Sequence, residues 1–124
     1  MIVKSNWRKE VLDGRRFKFG KNWKYFLESL SEDKITAAIK SMREYLEIQS
    51  LDGKTFLDIG CGSGLMSLAA RKLGAKVLSF DYDKNSVECT RFLKELYFKD
   101  DIYWTIEEGS VLNKDYLRTI GKFD

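Results

Sequence analysis

The chain has 124 residues, of which 44% are hydrophobic and 33% are charged, and its formal net charge is +3. This length and hydrophobic content suit one globular domain and exclude an intrinsically disordered chain. Its basic residues are scattered, which disfavours nucleic acid as the main partner, and no apolar run approaches the roughly 20 residues that span a bilayer.

The first 50 residues are predicted to form an N-terminal helical cap segment. Residues 1–20 are basic and aromatic without a clear period, and they indicate either a lid over a ligand or a segment whose aromatic side chains cover the core. Asn22 is a candidate N-cap for a short helix over Trp23–Leu30. Ser31 is a candidate N-cap for a longer helix that reaches about Ile48, and the apolar stripe of this helix predicts that it packs against the core.

Residues 55–73 predict a strand, a tight turn and a helix. A mostly apolar run, Thr55–Leu57, leads into Asp58-Ile59-Gly60-Cys61-Gly62-Ser63-Gly64, and the helix-forming stretch Leu65–Leu73 follows and ends at Gly74. Glycine permits positive φ and lets a ligand approach where a Cβ would collide. Residues 51–124 are therefore predicted to form the ligand-binding part of a single domain, with this turn at the end of its first strand.

The spacing of the glycines restricts the ligand. A dinucleotide-binding turn has glycine or alanine three residues after its second glycine, and Leu65 stands there instead. The Gly-Lys-Ser/Thr ending of a nucleotide P-loop is also missing. The pattern Asp58, Gly60, Gly62, Gly64 instead resembles motif I of the class I S-adenosylmethionine-dependent methyltransferases. The resemblance implies S-adenosylmethionine as the cofactor, with the backbone of Cys61 also in contact with it.

A second strand is predicted over Ala75–Phe80, with Asp81-Tyr82-Asp83 at its carboxyl end. Asp81 follows Asp58 by 23 residues, close to the offset of about 20 at which an acidic side chain reaches a ribose diol from the neighbouring strand. The alternative is a turn or helix-capping aspartate, which suits Asp83. The resemblance implies that Tyr82, the residue after the acid, packs on the adenine ring.

A helix over Lys84–Tyr97 and a third strand over Ile102–Ile106 are predicted next. The family often has Gly-Asp after this strand, where the acid binds the adenine amino group. This chain has Gly109-Ser110, so the resemblance implies that Ser110 hydrogen-bonds adenine as a neutral partner and that Val111 packs on the ring. Asn113 is then predicted to cap a last helix.

These elements predict an α/β fold, a Rossmann-like three-layer α/β/α arrangement with a mainly parallel sheet in the order 3-2-1. The chain stops after the third strand, so the resemblance covers the first half of the family's domain. The outer edge of the first strand is then unpaired, and an exposed edge favours pairing with another chain. Self-association through this edge is therefore a candidate property.

Two residue types limit the chemistry. Cys61 and Cys89 do not form a disulfide framework and fit a reducing compartment, so that a soluble cytoplasmic protein is expected in the absence of a signal-peptide pattern. The chain has no histidine, which removes the usual general base and the commonest metal ligand. No metal site is predicted, and no catalytic residue is named.

The resemblance implies an S-adenosylmethionine-dependent methyltransferase with a small-molecule acceptor. The stretch Phe19–Trp23, followed by Phe26-Leu27, is similar to the N-terminal segment of some small methyltransferases. Two alternatives remain open. One is a non-catalytic fragment or binding module that associates through its sheet edge. The other is a nucleotide-sugar or dinucleotide enzyme of the wider Rossmann type, which Leu65 disfavours.

Overall fold

The computed structural model describes residues 31–124. The predicted lid and the helix over Trp23–Leu30 lie outside these residues, and the division of the chain at residue 50 stays a prediction. The elements in chain order are α1 (Glu32–Leu46), β1 (Thr55–Ile59), α2 (Leu65–Lys72), β2 (Lys76–Asp81), α3 (Lys84–Tyr97), β3 (Trp104–Glu108) and α4 (Lys114–Ile120). Within this part of the chain, no helix is both long and apolar enough to cross a membrane.

The three strands of the described residues form one parallel sheet in the order β1-β2-β3. In its middle row Leu57 pairs with Leu78, which pairs with Thr105. This arrangement confirms the predicted α/β, Rossmann-like fold and strand order. Because parallel strands end at the same sheet edge, the loops after β1, β2 and β3 lie together there.

Within residues 31–124, helices lie on both faces of the sheet, three on one side and α4 on the other. On one face α2 and α3 pack on the strands and α1 packs on α2, around a core built mainly from Leu68, Ala69, Ala70, Val77, Val87, Phe92, Leu93, Trp104 and Ile106. Successive strand side chains point to opposite faces, so Phe80 lies on the other side. There its ring meets Tyr116 of α4 edge-on, with the centroids 5.1 Å apart.

The helix boundaries follow their predicted caps. Ser31 accepts a hydrogen bond from the Lys34 N–H, and Asn113 accepts one from the Tyr116 N–H. Helix α1 ends two residues before the predicted Ile48, because Glu47 takes the left-handed conformation at φ 55°.

At the outer edge of β1 the first backbone N–H, that of Thr55, donates to Asp124 Oδ2 at 2.8 Å.

The predicted start of β3 is wrong by two residues. Ile102 and Tyr103 form a turn instead, and Ile102 is 81% exposed. The cause is Asp101, whose Oδ1 accepts a hydrogen bond from the Tyr103 N–H at 2.9 Å. Its other oxygen, Oδ2, binds Arg71 Nε of α2 at 2.6 Å. Asp101 thus engages the Tyr103 N–H, while the Tyr103 carbonyl already accepts from the Val77 N–H of β2 at 2.8 Å, and the strand begins at Trp104.

We expect Asp101→Asn to lower the free energy of unfolding by about 1–2 kcal/mol at pH 7, because it removes a charge-assisted pair with Arg71. Both side chains are largely buried, with 16% of Arg71 and 12% of Asp101 exposed. The Arg71 guanidinium also lies over the Phe98 ring at 5.1 Å. Urea unfolding measures the loss, and Asp100→Asn, on the exposed neighbouring residue, serves as the control.

The pH dependence of that loss has a defined sign. Burial by itself would raise the pKa of Asp101, but hydrogen bonds from Arg71 and from the Tyr103 N–H lower it below the ordinary value of 3.8. The contribution is therefore present above pH 3.8 and disappears as the pH falls through the lower folded-state value. An equal loss of stability in both variants at pH 7 would contradict the assignment.

Candidate cofactor site

The glycine turn leaves open space at two of its three glycines. Gly60, Gly62 and Gly64 have φ values of 70°, 56° and 86°, a region that side chains disfavour. A Cβ built on Gly60 or Gly62 would meet no atom within 4 Å, whereas one on Gly64 would lie 2.9 Å from Thr90 Cγ2. The turn therefore packs against α3 at Gly64 and leaves room for a ligand at the other two glycines.

The backbone N–H groups of the turn are used inside the protein. Gly60 and Cys61 both donate to the Phe80 carbonyl, at 2.9 and 3.1 Å, and Gly64 donates to the Cys61 carbonyl at 2.9 Å. The Gly62 N–H donates to Asp81 Oδ2 at 3.1 Å. A phosphate-binding turn needs such groups free to point at the anion. These four donors do not form an anion site.

Asp81 connects the three loops at this edge of the sheet. Its Oδ2 accepts from the Gly62 N–H and its Oδ1 from the Asp83 N–H at 2.9 Å. Its backbone carbonyl accepts from the Gly109 N–H at 3.0 Å. The residue is 8% exposed, and each carboxylate oxygen retains acceptor capacity. A ribose diol bound there would meet a carboxylate already held in place.

Asp58 lies in β1 just before the glycine turn and provides a second carboxylate at this site. Its Oδ2 accepts from Ser67 Oγ at 2.5 Å, and within residues 31–124 no donor binds Oδ1. Burial raises the pKa of Asp58, and the charge of Asp81 raises it further, while the hydrogen bond from Ser67 opposes both. Residues 58–64, 81–83 and 109–113 contain no Lys or Arg. The local potential is therefore negative.

The predicted adenine contacts lie at the same edge. Tyr82 is 83% exposed and Val111 is 52% exposed, so both present apolar surface to solvent. The Ser110 hydroxyl oxygen accepts a hydrogen bond from the Leu112 N–H at 3.1 Å, which leaves its proton free to donate. Contact of Tyr82, Ser110 and Val111 with adenine stays a prediction.

Cys61 contributes structure rather than a nucleophile. Its thiol is buried, and burial raises its pKa to about 11, so almost no thiolate exists near neutral pH. Its Sγ lies 3.3 Å from Thr90 Oγ1, which also lies 3.2 Å from the Gly62 carbonyl oxygen. The contact of Thr90 with the turn was not predicted from the sequence, in which a threonine among the apolar positions of α3 was the available signal.

Comparison with known proteins gives a consistent family. The family described as "Ribosomal protein L11 methyltransferase (PrmA)" matches residues 38–96. The ribosomal protein L11 methyltransferase of Helicobacter hepaticus is 49% identical over 49 residues, which are 39% of this chain and 16% of that protein. The enzyme of the same name from Cupriavidus taiwanensis is 45% identical over 53 residues, 42% of this chain and 18% of that protein.

Among solved structures, a methyltransferase from Geobacter sulfurreducens superposes with a TM-score of 0.41 at 18% identity, over 73% of this chain and 56% of that one. The segment matched to the Helicobacter hepaticus enzyme spans about a sixth of the length of that enzyme. The relatives are named for a protein substrate, and the expectation of a small-molecule partner is therefore wrong. The matched proteins are enzymes, and the alternative of a non-catalytic self-associating module is not favoured.

Proposed function

We propose that this chain is part of a class I S-adenosylmethionine-dependent methyltransferase, and that its turn and strand ends bind S-adenosylmethionine for methyl transfer to a protein acceptor. The cofactor-binding residues in this proposal are Asp58, Gly60, Cys61, Gly62, Gly64, Asp81, Tyr82, Ser110 and Val111. A cytoplasmic location belongs to the same proposal.

The charge of the site is the observation that carries this proposal. Asp58 and Asp81 stand at the glycine turn without a Lys or Arg in the three loop segments, and the N–H groups of Gly60, Cys61, Gly62 and Gly64 are bound internally. A dinucleotide would bring a pyrophosphate into this negative site, where these four N–H groups are not free to bind it. S-adenosylmethionine carries no phosphate, and its sulfonium and ammonium groups are cationic, which suits two carboxylates.

The residues present have the chemistry to hold this cofactor. Asp81 can accept from both ribose hydroxyls, and Tyr82 offers a flat ring for adenine. The bare Cα atoms of Gly60 and Gly62 let the ligand approach the backbone. The cofactor supplies an activated methyl group on a sulfonium. The protein then needs mainly to orient the two reactants, which is consistent with a chain that has no histidine.

The protein acceptor is proposed from the relatives. Eight of the curated relatives that this chain matches are named as ribosomal protein L11 methyltransferases. Identity reaches about half of the aligned residues, and the family model matches residues 38–96, which include the glycine turn. Ribosomal protein L11 is therefore the first acceptor to test. No residue of this chain is assigned to acceptor binding.

Calorimetric titration of the 124-residue chain with S-adenosylhomocysteine and with NAD tests the cofactor. We expect saturable binding of S-adenosylhomocysteine and none of NAD. Binding of NAD alone would overturn the proposal. Transfer of tritium from labelled S-adenosylmethionine to purified ribosomal protein L11, compared with a mixture of small-molecule acceptors, tests the acceptor. Label in the small molecules alone would contradict a protein acceptor.

A further inference from the structure

A line of buried polar groups runs beneath the glycine turn. Trp104 Nε1 lies 3.0 Å from Ser79 Oγ, which lies 2.6 Å from Ser67 Oγ, and Ser67 Oγ lies 2.5 Å from Asp58 Oδ2. These four residues, the Trp104–Asp58 relay, come from β3, β2, α2 and β1 in that order. Each of these three strands and helix α2 thus contributes one member.

The hydrogen bonds of the relay have one direction. An indole N–H can only donate, so Ser79 accepts from Trp104. The Ser79 hydroxyl proton is then available for Ser67, and the Ser67 proton goes to the Asp58 carboxylate, which in its ionised form can only accept. The three donors therefore point along one path that ends on Asp58.

Burial makes this arrangement costly unless every bond forms. Trp104, Ser79 and Ser67 are each 0% exposed, and their neighbours in the core are apolar side chains such as Leu68 and Val77. A buried hydroxyl without a partner costs about 1–3 kcal/mol. Without Ser79 the indole N–H of Trp104 would have no acceptor, and without Ser67 the Ser79 hydroxyl would lose its partner. The two serines therefore connect the buried indole to the carboxylate at the end of the line.

We propose that Trp104, Ser79 and Ser67 are positioning residues that act through Asp58, holding its Oδ2 so that Oδ1 faces the cofactor at the base of the glycine turn. This inference rests on the proposed function. Neither serine nor the indole touches the cofactor in this proposal. Their effect on binding passes through the orientation and the charge of one carboxylate.

Several titratable and polar groups face Asp58 and affect its pKa. Asp81 faces it from β2, and the Cys61 thiol faces it from the turn. From α2 it meets the Ser67 hydroxyl, while Arg71 of that helix is bound to Asp101. Burial raises the pKa of Asp58 and the bond from Ser67 lowers it. Removal of that bond must therefore raise the pKa further.

The first test uses the wild-type chain. Carboxyl ¹³C resonances are followed from pH 3 to pH 8, with Asp58→Asn assigning Asp58, and the Trp104 indole N–H is followed in the same samples. Trp104 is one of three tryptophans and is assigned with Trp104→Phe. We expect the indole resonance to move with the same midpoint as Asp58 and to stop moving in Asp58→Asn. An indole resonance that is indifferent to the Asp58 titration would overturn the relay.

The second test removes one link. Ser67→Ala should move the Asp58 midpoint to higher pH and weaken S-adenosylhomocysteine binding about five- to tenfold at pH 7, on the scale of one hydrogen bond. Ser41→Ala, on the exposed side of α1, is the control and should change neither quantity. A Ser67→Ala variant with an unchanged midpoint and unchanged affinity would contradict the proposal.

The two proposals fail in different ways. Suppose that the wild-type chain does not bind S-adenosylhomocysteine but the Trp104 indole resonance follows the Asp58 titration. The proposed function then fails, while the hydrogen-bonded relay to Asp58 is still supported. If the chain binds the cofactor and the indole does not respond to Asp58, the relay fails alone. Because the first test needs no folded variant of Ser67, instability of Ser67→Ala does not leave the question open.

Discussion

Gly64→Ala is expected to lower the free energy of unfolding by about 2–4 kcal/mol and to abolish cofactor binding. Gly64 has φ 86°, which disfavours any side chain. Its new Cβ would also lie 2.9 Å from both Cγ2 and Oγ1 of Thr90 and 3.1 Å from its Cα. The Cα belongs to the backbone of α3, so α3 and the turn must separate to make room. Urea unfolding and calorimetry measure the two effects.

Gly53→Ala is the matched control for this prediction. Gly53 also has a positive φ, 78°, but a Cβ there would meet no atom within 4 Å. It should therefore cost only the backbone strain, about 1–2 kcal/mol, and leave cofactor affinity unchanged, because it precedes β1 at the far end of that strand. Equal losses of stability in the two variants would show that the contact of Gly64 with α3 has no energetic effect.

Asp81→Asn is expected to weaken S-adenosylhomocysteine binding by about 10- to 100-fold, the equivalent of roughly 1–3 kcal/mol. Both carboxylate oxygens accept backbone N–H groups, from Gly62 and Asp83. An amide nitrogen in place of either oxygen puts a donor against a donor. The substitution also replaces the charged acceptor for the ribose hydroxyls with a neutral group. Calorimetric titration measures the change.

Asp83→Asn makes the same chemical change two residues away. Asp83 caps α3, with Oδ1 accepting from the Asn85 N–H at 3.0 Å and Oδ2 from Ser86 Oγ at 3.1 Å. Asparagine is about as good an N-cap as aspartate, so the affinity should stay within about twofold of wild type. Full affinity in Asp81→Asn would remove Asp81 from the site, and equal losses in both variants would indicate a general effect of charge.

Local signals in the sequence were enough to predict most elements. The N-caps Ser31 and Asn113 and the glycine turn stand where the sequence places them, because capping and positive φ depend on residues a few positions apart. The strand order follows from the strand-helix-strand spacing for a similar reason. The proposed protein acceptor could not be predicted from the sequence, since nothing in residues 31–124 has been assigned to it, and the correction came from the names of the relatives.

The sequence by itself determined the fold class, the turn that ends β1 and the acidic residue at the end of β2. Only the tertiary structure decided where β3 begins, because Asp101 is held by Arg71, 30 residues earlier in the chain. It alone also joined Trp104, Ser79 and Ser67 to Asp58. Each of these outcomes depends on hydrogen bonds between side chains of different elements, whose partners no local pattern specifies.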